Sequence, residues 1–582
     1  VHAQTQATES ELRLASQRIA TAVEADPIAS PGQVVVVYFT PVDIKPAVNH
    51  TERIRLIVAE TAGFYERELT RHGFADRTMK VVRNGDGEVD VIDVVGAGQG
   101  GNYGKPDGQK IRDEVLPVLR AKGIDPGASV ILLFCNLMDY DPIKSTISHH
   151  SPYYGGGSHL AGTAWQCDSP ILDPRRFGDL TPIRDGEYGN ITIGRHNSIF
   201  IGGVIHELGH ALSLPHCRQR EDEAARGTAL MGSGNRTYAE QLRGEGRGTF
   251  LTQAHALRLA SHPVLMDRAV RQIDDSPKTT WSNLKIDVVD DQFIGVGGVV
   301  TGEIPVHAVV TYFDPDGGSN YDATTATAVP GDDGRFILRS EKLHPATTGE
   351  MRLTACHVSG ATGTRSFRYA VDAEGKPDLS SIRLELELQP MIEALRESGH
   401  VAARQRLEEI AGSDPELQSI GKRVLKRFAN FGESTSVELQ EVAANVSSIS
   451  LSQVKPTTAR VGWLRPTYNA VPNRKRLLSV AGELYGSGIY AHAPALHEYA
   501  LNSQWTKLTG RFGIQDGSQG RVDFEIVGDG RLLWTQRGVG AGQGGVFEID
   551  VTDVRTLSLR VGDGGNGTSS DWGVWIEPML VR

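Results

Sequence analysis

HELGHALSLPH (residues 206–216), preceded by the apolar, glycine-rich run IFIGGVI (199–205), decides how the first half of this chain is read. His206 and His210 stand one helical turn apart, so both imidazoles leave the same face of a helix. Glu207 is rotated by about 100° from His206, which keeps it from sharing a ligand with them but leaves it close to whatever they bind. His216 would point elsewhere if the helix simply continued. The chain must therefore turn near Ser213, and Pro215 is consistent with a helix that has ended. Three neutral nitrogens with one position left open suit zinc. Such an ion lowers the pKa of a bound water from about 15.7 towards 7 and polarises a carbonyl, with Glu207 placed to act as general base. A chance HExxH on a surface helix is the bland alternative. The third histidine and the apolar flanks weigh against it.

Outward from the motif, the upstream residues alternate between strand and helix patterns. Residues 11–25 read as a short helix and QVVVVYFT (33–40) as a buried β-branched strand. Ile54, Ile57, Val58, Thr61, Phe64, Tyr65 and Leu69 recur at helical spacing, with an end near Gly73. Strands are expected from Lys80 and Val89, a helix bent by Pro117 over 109–121, and a further buried strand at SVILLFCNL (129–137). This alternation predicts an α/β layer with a mainly parallel sheet. Residues 140–194, rich in Gly, Pro, His and aromatics, read as long functional loops. The motif helix is expected over 199–214 and another, capped by Thr252, over 251–261.

Past Pro277 the texture changes to short alternating runs with Gly/Asp turns, predicting a β-sandwich over roughly 284–388. Residues 390–432 read as a helical hairpin joined near Gly412–Pro415, and strand texture returns from about Ser447. The expected fold is thus multidomain α/β plus all-β. Its parts are a catalytic domain over 1–278, a β-sandwich over 279–388, a helical spacer over 389–446 and a second β-sandwich over 447–582.

The formal net charge of −11, with no basic run against it, opposes non-specific nucleic-acid binding. No apolar stretch approaches the roughly 20 residues of a membrane span. The polar opening VHAQTQATESE is the kind of start that removal of a signal peptide leaves, as would trimming of a longer chain, and it points to a secreted protein. Cys135, Cys167, Cys217 and Cys356 lack paired metal spacing; their number allows one or two bridges or buried free thiols.

HExxHxxxxxH resembles the pattern of the metzincin clan, which has Gly where this chain has Ser213. Met231, in GTALMGSGN (227–235), fits that clan's methionine turn, an apolar floor beneath the metal. The blocks VIHELGHALSLPHCRQ (204–219), GTALMGSGNRTY (227–238) and TFLTQAHALRL (249–259) are similar to the bacterial O-glycopeptidases of mucin degraders. In that family the position of Ser213 is held by Asn. The likeness extends upstream through FYERELTRHGF (64–74) and downstream into the first β-sandwich. It implies a zinc endopeptidase that cleaves mucin-like glycoproteins N-terminal to an O-glycosylated Ser or Thr. It also implies a sugar pocket beside the zinc, built partly from rings. The matching positions are Trp165 in GTAWQCD and Tyr103 in GGNYGKPDG, with Tyr153 and Tyr154 as further candidates from the loop-rich region. A sugar packs its C–H face on such rings, although each ring alone is more often a packing residue. His149, His150 and His159 have no ligand spacing and read as solvated loop histidines.

GSGIYAHAP (486–494), FEIVGDGRLLW (524–534) and VGDGGNGTSSDWGVWIEPML (561–580) resemble the NPCBM-type carbohydrate-binding modules, with His492, Asp571 and Trp572 in the motifs. Asp563, Asn566 and Asp571 offer oxygen ligands for Ca2+, although turn-forming Asp and Asn are the stronger reading. The resemblance therefore implies a glycopeptidase tethered to its polymer by a sugar-binding module, with carbohydrate and O-glycosylated glycoproteins as partners. Two rivals remain. One is a glycan-independent metzincin protease docked on glycans by its C-terminal module. The other is a non-catalytic mucin-binding adhesin, which the intact Glu207 opposes.

Overall fold

The computed structural model describes residues 4–316, 320–428, 446–472, 477–565 and 567–582. Helix Glu9–Ala25 is capped by a reciprocal bond pair between Thr8 and Glu11. The strands Val91–Val95, Gln33–Thr40, Ser129–Cys135, Gly162–Cys167 and Tyr154–Gly157 form one sheet in that order. The first four run parallel and Tyr154–Gly157 closes the edge antiparallel. Valines of the second strand alternate between two cores. Val35 and Val37 meet Ile111, Val115 and Leu119 of helix Gly108–Ala121, while Val34 and Val36 face helices His50–Arg71 and Ile193–Ala211. The expected strand near Lys80 reduces to one bridge, Val34 to Val81.

Two expectations are corrected here. Residues 140–194 are not mainly loop: Gly162–Cys167 is a central strand buried on both faces, so it shows no alternation to betray it. The same stretch supplies a second sheet of four short strands, in the order Gly189–Thr192, Pro182–Asp185, Thr146–His149 and Met138–Asp141. The motif helix also starts earlier than its apolar run, at Ile193, because Thr192 accepts a bond from the Arg195 amide and caps it there.

The next unit packs a three-stranded sheet (Thr280–Val289, Phe293–Thr301, Arg335–Arg339) on a five-stranded one (Thr324–Ala328, Val306–Pro315, Thr347–His357, Thr362–Val371, Pro377–Asp378). Strand Val306–Pro315 is buried on both sides. Val309 and Phe313 enter the sandwich interior, whereas Ala308, Val310 and Tyr312 join the core that surrounds the motif helix. Strands end at Asp378 rather than near 388, and Ser380–Leu386 is helical. Helices Gln389–Ala411 and Pro415–Arg427 form the hairpin, the first broken at Gly399 and the second capped by Asp414. Residues 429–432 of the expected hairpin lie outside the described residues.

Two further sheets, ordered around Trp572–Val581 and Thr556–Gly562, enclose a separate core containing Trp505, Phe524 and Trp575. All four cysteines are buried free thiols. No helix among the described residues is long and apolar enough to cross a membrane.

Candidate metal centre

The motif helix is buried along almost its whole length, and Gly209 is the reason its underside can be so close to its floor. A Cβ there would lie 2.6 Å from the Met231 sulfur and 3.1 Å from the Tyr65 hydroxyl. Tyr65 in turn donates to the Ile205 carbonyl at 2.7 Å. Met231, fully buried, therefore sits directly beneath the turn that carries His206 and His210.

The helix stops at Ala211, and Ser213 takes a left-handed backbone (φ 65°). The expected turn is thus at Ser213, a residue less suited to that conformation than Gly or Asn. Arg258 holds it by donating Nη2 to the Ser213 carbonyl at 2.6 Å. The turn brings His216 back, so that one ring nitrogen from each of His206, His210 and His216 lies within 4.8 Å of the others. Among the described residues this is the one group of three or more His, Cys, Asp or Glu side chains whose ligand atoms converge.

Their tautomers follow from the carbonyls beside them. His206 Nδ1 lies 2.7 Å from the Leu230 oxygen and His210 Nδ1 2.8 Å from the Leu214 oxygen. A carbonyl only accepts, so both Nδ1 atoms carry the proton and both Nε2 atoms present lone pairs. His210 Nε2 stands 2.9 Å from His216 Nε2. A lone pair aimed at a neighbouring ring nitrogen at that range favours a shared cation, and the donor set fits zinc. Burial, then the neighbouring His210, holds the His206 imidazolium down at about 3, and burial also lowers that of His210. These two rings therefore stay neutral, as ligands must be.

Glu207 is 8% exposed beside them. Burial pushes its carboxyl up to about 8, against a hydrogen bond donated by the Gly155 amide. A cation on the three imidazoles would pull that value back down. Gly155 belongs to the edge strand, where a Cβ would strike the Glu207 carbonyl at 2.1 Å; only glycine lets the strand ride this close to the helix.

One residue of the centre has no signal in the motif. Tyr321, between two strands of the first β-sandwich, stacks on His216 with ring centres 3.7 Å apart and remains 47% exposed. No periodicity or spacing connects it to the helix; only the close packing of sandwich and motif helix does.

The aromatic positions implied by resemblance separate. Tyr154 is exposed, but it alternates with Gly155, which faces Glu207, so its ring lies on the opposite face of the sheet beside Gly108 and packs on Trp165 at 4.8 Å. Trp165 is only 8% exposed and donates its indole N–H to the Gly108 carbonyl at 2.7 Å. Tyr103 is 2% exposed on the far side of the sheet, packed edge-on against Phe39, its hydroxyl bonded to the Gly98 amide and Glu114. This corrects the expectation for Tyr103, since a ring without a free face cannot carry a sugar. Trp165 backs Tyr154 rather than meeting solvent. Tyr153 packs its hydroxyl against Gly203 of the motif helix. His149 pairs with Glu187 and His159 with the Ile273 carbonyl, so neither adds a metal ligand.

In the C-terminal sandwich, His492 and Asp571 are buried. His492 Nδ1 bonds the Ala493 carbonyl at 2.8 Å, and Asp571 accepts the Arg521 amide at 3.0 Å. His492 is directly opposite Trp572 in the ladder, and Trp572 lines a small cavity of about 140 Å³ with Gln515 and Ser570. Asp563 and Asp571 are not part of any converging ligand group, and Asn566 lies outside the described residues. The calcium expectation has no geometric support among the described residues.

The fold and the histidine cluster together define a β-rich chain in which an α/β layer carrying a metal-type centre is followed by carbohydrate-module architecture. Residues 447–581 match the NPCBM/NEW2 domain model. Among solved structures, wild-type OgpA from Akkermansia muciniphila is 23% identical, covering 60% of this chain and 96% of that one, with a TM-score of 0.49. The inactive OgpA of the same organism in complex with an O-glycopeptide, glycodrosocin, is 22% identical over 59% of this chain and 94% of that one, also at 0.49. The CBM51 of Clostridium perfringens GH95 in complex with methyl-galactose is 22% identical over 23% of this chain and 99% of that one, at 0.22. A Renibacterium salmoninarum protein, named provisionally as an endo-alpha-N-acetylgalactosaminidase, is 27% identical over 109 residues, which are 18% of this chain and 7% of that protein. The chain thus spans a small part of that curated relative. It is similar to OgpA, and its residues 447–581 match an NPCBM domain.

Proposed function

We propose that this protein is a secreted zinc endopeptidase that hydrolyses the peptide bond N-terminal to an O-glycosylated Ser or Thr in mucin-like glycoproteins. The observation that carries the reading is the convergence of His206, His210 and His216 with Glu207 alongside. Zinc bound by the three imidazoles would supply the Lewis acid that polarises the scissile carbonyl and makes water acidic enough to attack.

The chain's own groups do the rest. The Leu230 and Leu214 carbonyls fix the two ring tautomers, so both Nε2 atoms point inward without rearrangement. Glu207 takes the proton of the attacking water and passes it to the leaving amine, and the Gly155 amide orients its carboxylate. The Tyr154–Gly157 strand has no further strand beside it among the described residues, so an extended peptide can lie along it as an added strand. Of the rings that the resemblance implies, Tyr154 is the exposed one and is the candidate platform for the peptide-linked sugar, on the Gly108 face of that strand. Met231 and Tyr65 keep the helix rigid from below.

The metzincin-like arrangement is supported by the left-handed turn at Ser213 and the buried methionine under Gly209. The burial of Trp165 and Tyr103 favours one second reading, a protease that reads peptide alone and docks on glycans through residues 447–581. An O-glycopeptide and the same peptide without sugar separate the two. Cleavage of the glycosylated peptide alone, N-terminal to the modified residue, is expected; equal cleavage of both rejects glycan dependence.

A further inference from the structure

Beside the metal centre, on the side of His210 away from Tyr321's stack on His216, the molecule holds an open cavity of about 290 Å³. Its walls come from three places. Gly155–Gly157 of the edge strand and His210 form one side, the Ser213–Pro215 turn and Arg258 another, and the outer face of the first β-sandwich, with Arg352, Thr354 and Thr364, the third.

Its charge is unusual for a chain of net charge −11. Arg258 lines it and has no carboxylate within 4 Å among the described residues; its bonds go to the Ser213 carbonyl and hydroxyl. Arg352 lines it as well, its Nη1 held by Asp314 and Glu350. That pairing fixes the guanidinium from behind, while burial raises the Asp314 carboxyl to about 6 and so weakens its hold on a full negative charge. Neither Arg258 Nε nor Arg352 Nη2 has a protein hydrogen-bond partner. Hydroxyls of Thr354 and Thr364, 3.2 Å apart, add neutral donors at the rim. Both of those atoms are buried, and it is the pairing of two guanidinium groups with hydroxyls and glycine backbone in the lining that suits a planar anion better than a neutral hydroxyl group.

We propose that this cavity is a subsite for a carboxylate group carried by the substrate next to the bond that is cut. The inference rests on the peptidase reading of the adjoining centre. Two sources present that chemistry there: an acidic sugar at the end of the glycan, or an Asp or Glu side chain of the peptide. Arg258 is the principal contact, because it alone lacks an acidic partner, and Arg352 is the positioning cation behind it.

The test uses the full chain and four peptides of one sequence: unglycosylated, neutral O-glycan, the same glycan ending in a sialic acid, and neutral glycan with Asp scanned through the flanking positions. Wild-type kcat/KM is expected to be about tenfold higher for at least one acidic peptide than for its neutral counterpart, a difference equal to one good charged hydrogen bond. Whether the sialylated or an Asp peptide shows it names the source. The acidic-to-neutral ratio should fall to about one in Arg258→Gln and be partly kept in Arg258→Lys. Dissociation constants for the same peptides on Glu207→Gln should show the same ratio without turnover. A wild-type ratio of one or less for every acidic peptide overturns the proposal, and that measurement needs no variant. So does a ratio that survives in Arg258→Gln. If glycosylated and bare peptides are cut alike, the glycan reading fails instead, while the Asp scan still reports on the cavity.

Discussion

The candidate metal centre and the C-terminal sandwich both present a histidine and an acid from a recognisable motif, yet the structure treats them oppositely. In the centre, His206 and His210 spend Nδ1 on backbone carbonyls and keep Nε2 for each other's neighbourhood, and Glu207 is buried with one amide bond. In the sandwich, His492 is tied to the carbonyl of the very next residue, Asp571 to the Arg521 amide, and Trp572 lies against Tyr490 in the ladder. The first set converges on a shared point; the second secures the ends of strands. Motif membership does not separate the two roles. The direction in which unspent polar atoms point does.

Breaking the convergence should have the largest effect. Dialysis against a chelator should abolish peptide cleavage, and added zinc should restore it in step with metal bound, measured by elemental analysis; full activity without metal would undo the comparison. Glu207→Ala should lower kcat by about 10²–10⁴-fold while the zinc content stays that of the wild type, which places the carboxylate in the proton transfer and not among the ligands. Tyr321→Ala should cost about 3–10-fold in kcat/KM through loss of the ring stack on His216, and Tyr321→Phe should recover most of it.

The smallest effect belongs to the sandwich and is one of stability. Burial raises the Asp571 carboxyl to about 6, above the ordinary carboxylate value of about 3.9. The folded module therefore binds a proton more tightly than the unfolded chain, so its stability is greatest in acid and declines as pH rises from about 4 through about 6. Asp571→Asn keeps the acceptor for the Arg521 amide and removes this slope. Melting of the C-terminal module at pH 4.5 and 7 should show the wild type losing a few degrees relative to the variant, with cleavage of a short glycopeptide unchanged. A parallel pH dependence in both proteins would return Asp571 to an ordinary turn residue.

What could be read in the sequence was local. Two histidines one turn apart, Pro215 and a third histidine at the right reach fix the bend at Ser213, and the structure has it there. β-branched runs such as 33–40 and 129–135 announce buried parallel strands, because both faces are covered and every residue can be apolar. The same physics hid Gly162–Cys167. A strand buried on both faces with Gly, Thr and Gln in it has neither an apolar run nor alternation, so the sequence pattern around Trp165 reads as loop although the residue faces the core. Tyr103 was misplaced for a related reason, since its Gly-rich surroundings signal a turn while the side chain fills the helix-covered face of the sheet. Tyr321 and the Arg258–Arg352 cavity lay beyond reach. They arise where distant strands meet, and pairwise proximity of that kind leaves no trace in spacing along the chain.

The strand Val306–Pro315 feeds Ala308, Val310 and Tyr312 into the interior around the motif helix and Val309 and Phe313 into the sandwich. An element that belongs to two interiors at once cannot melt out of one alone. The α/β layer and the first sandwich should accordingly lose structure in a single calorimetric transition, and proteolytic release of a folded fragment ending near residue 278 should fail. The C-terminal module, with a core of its own, is free to unfold on a separate schedule.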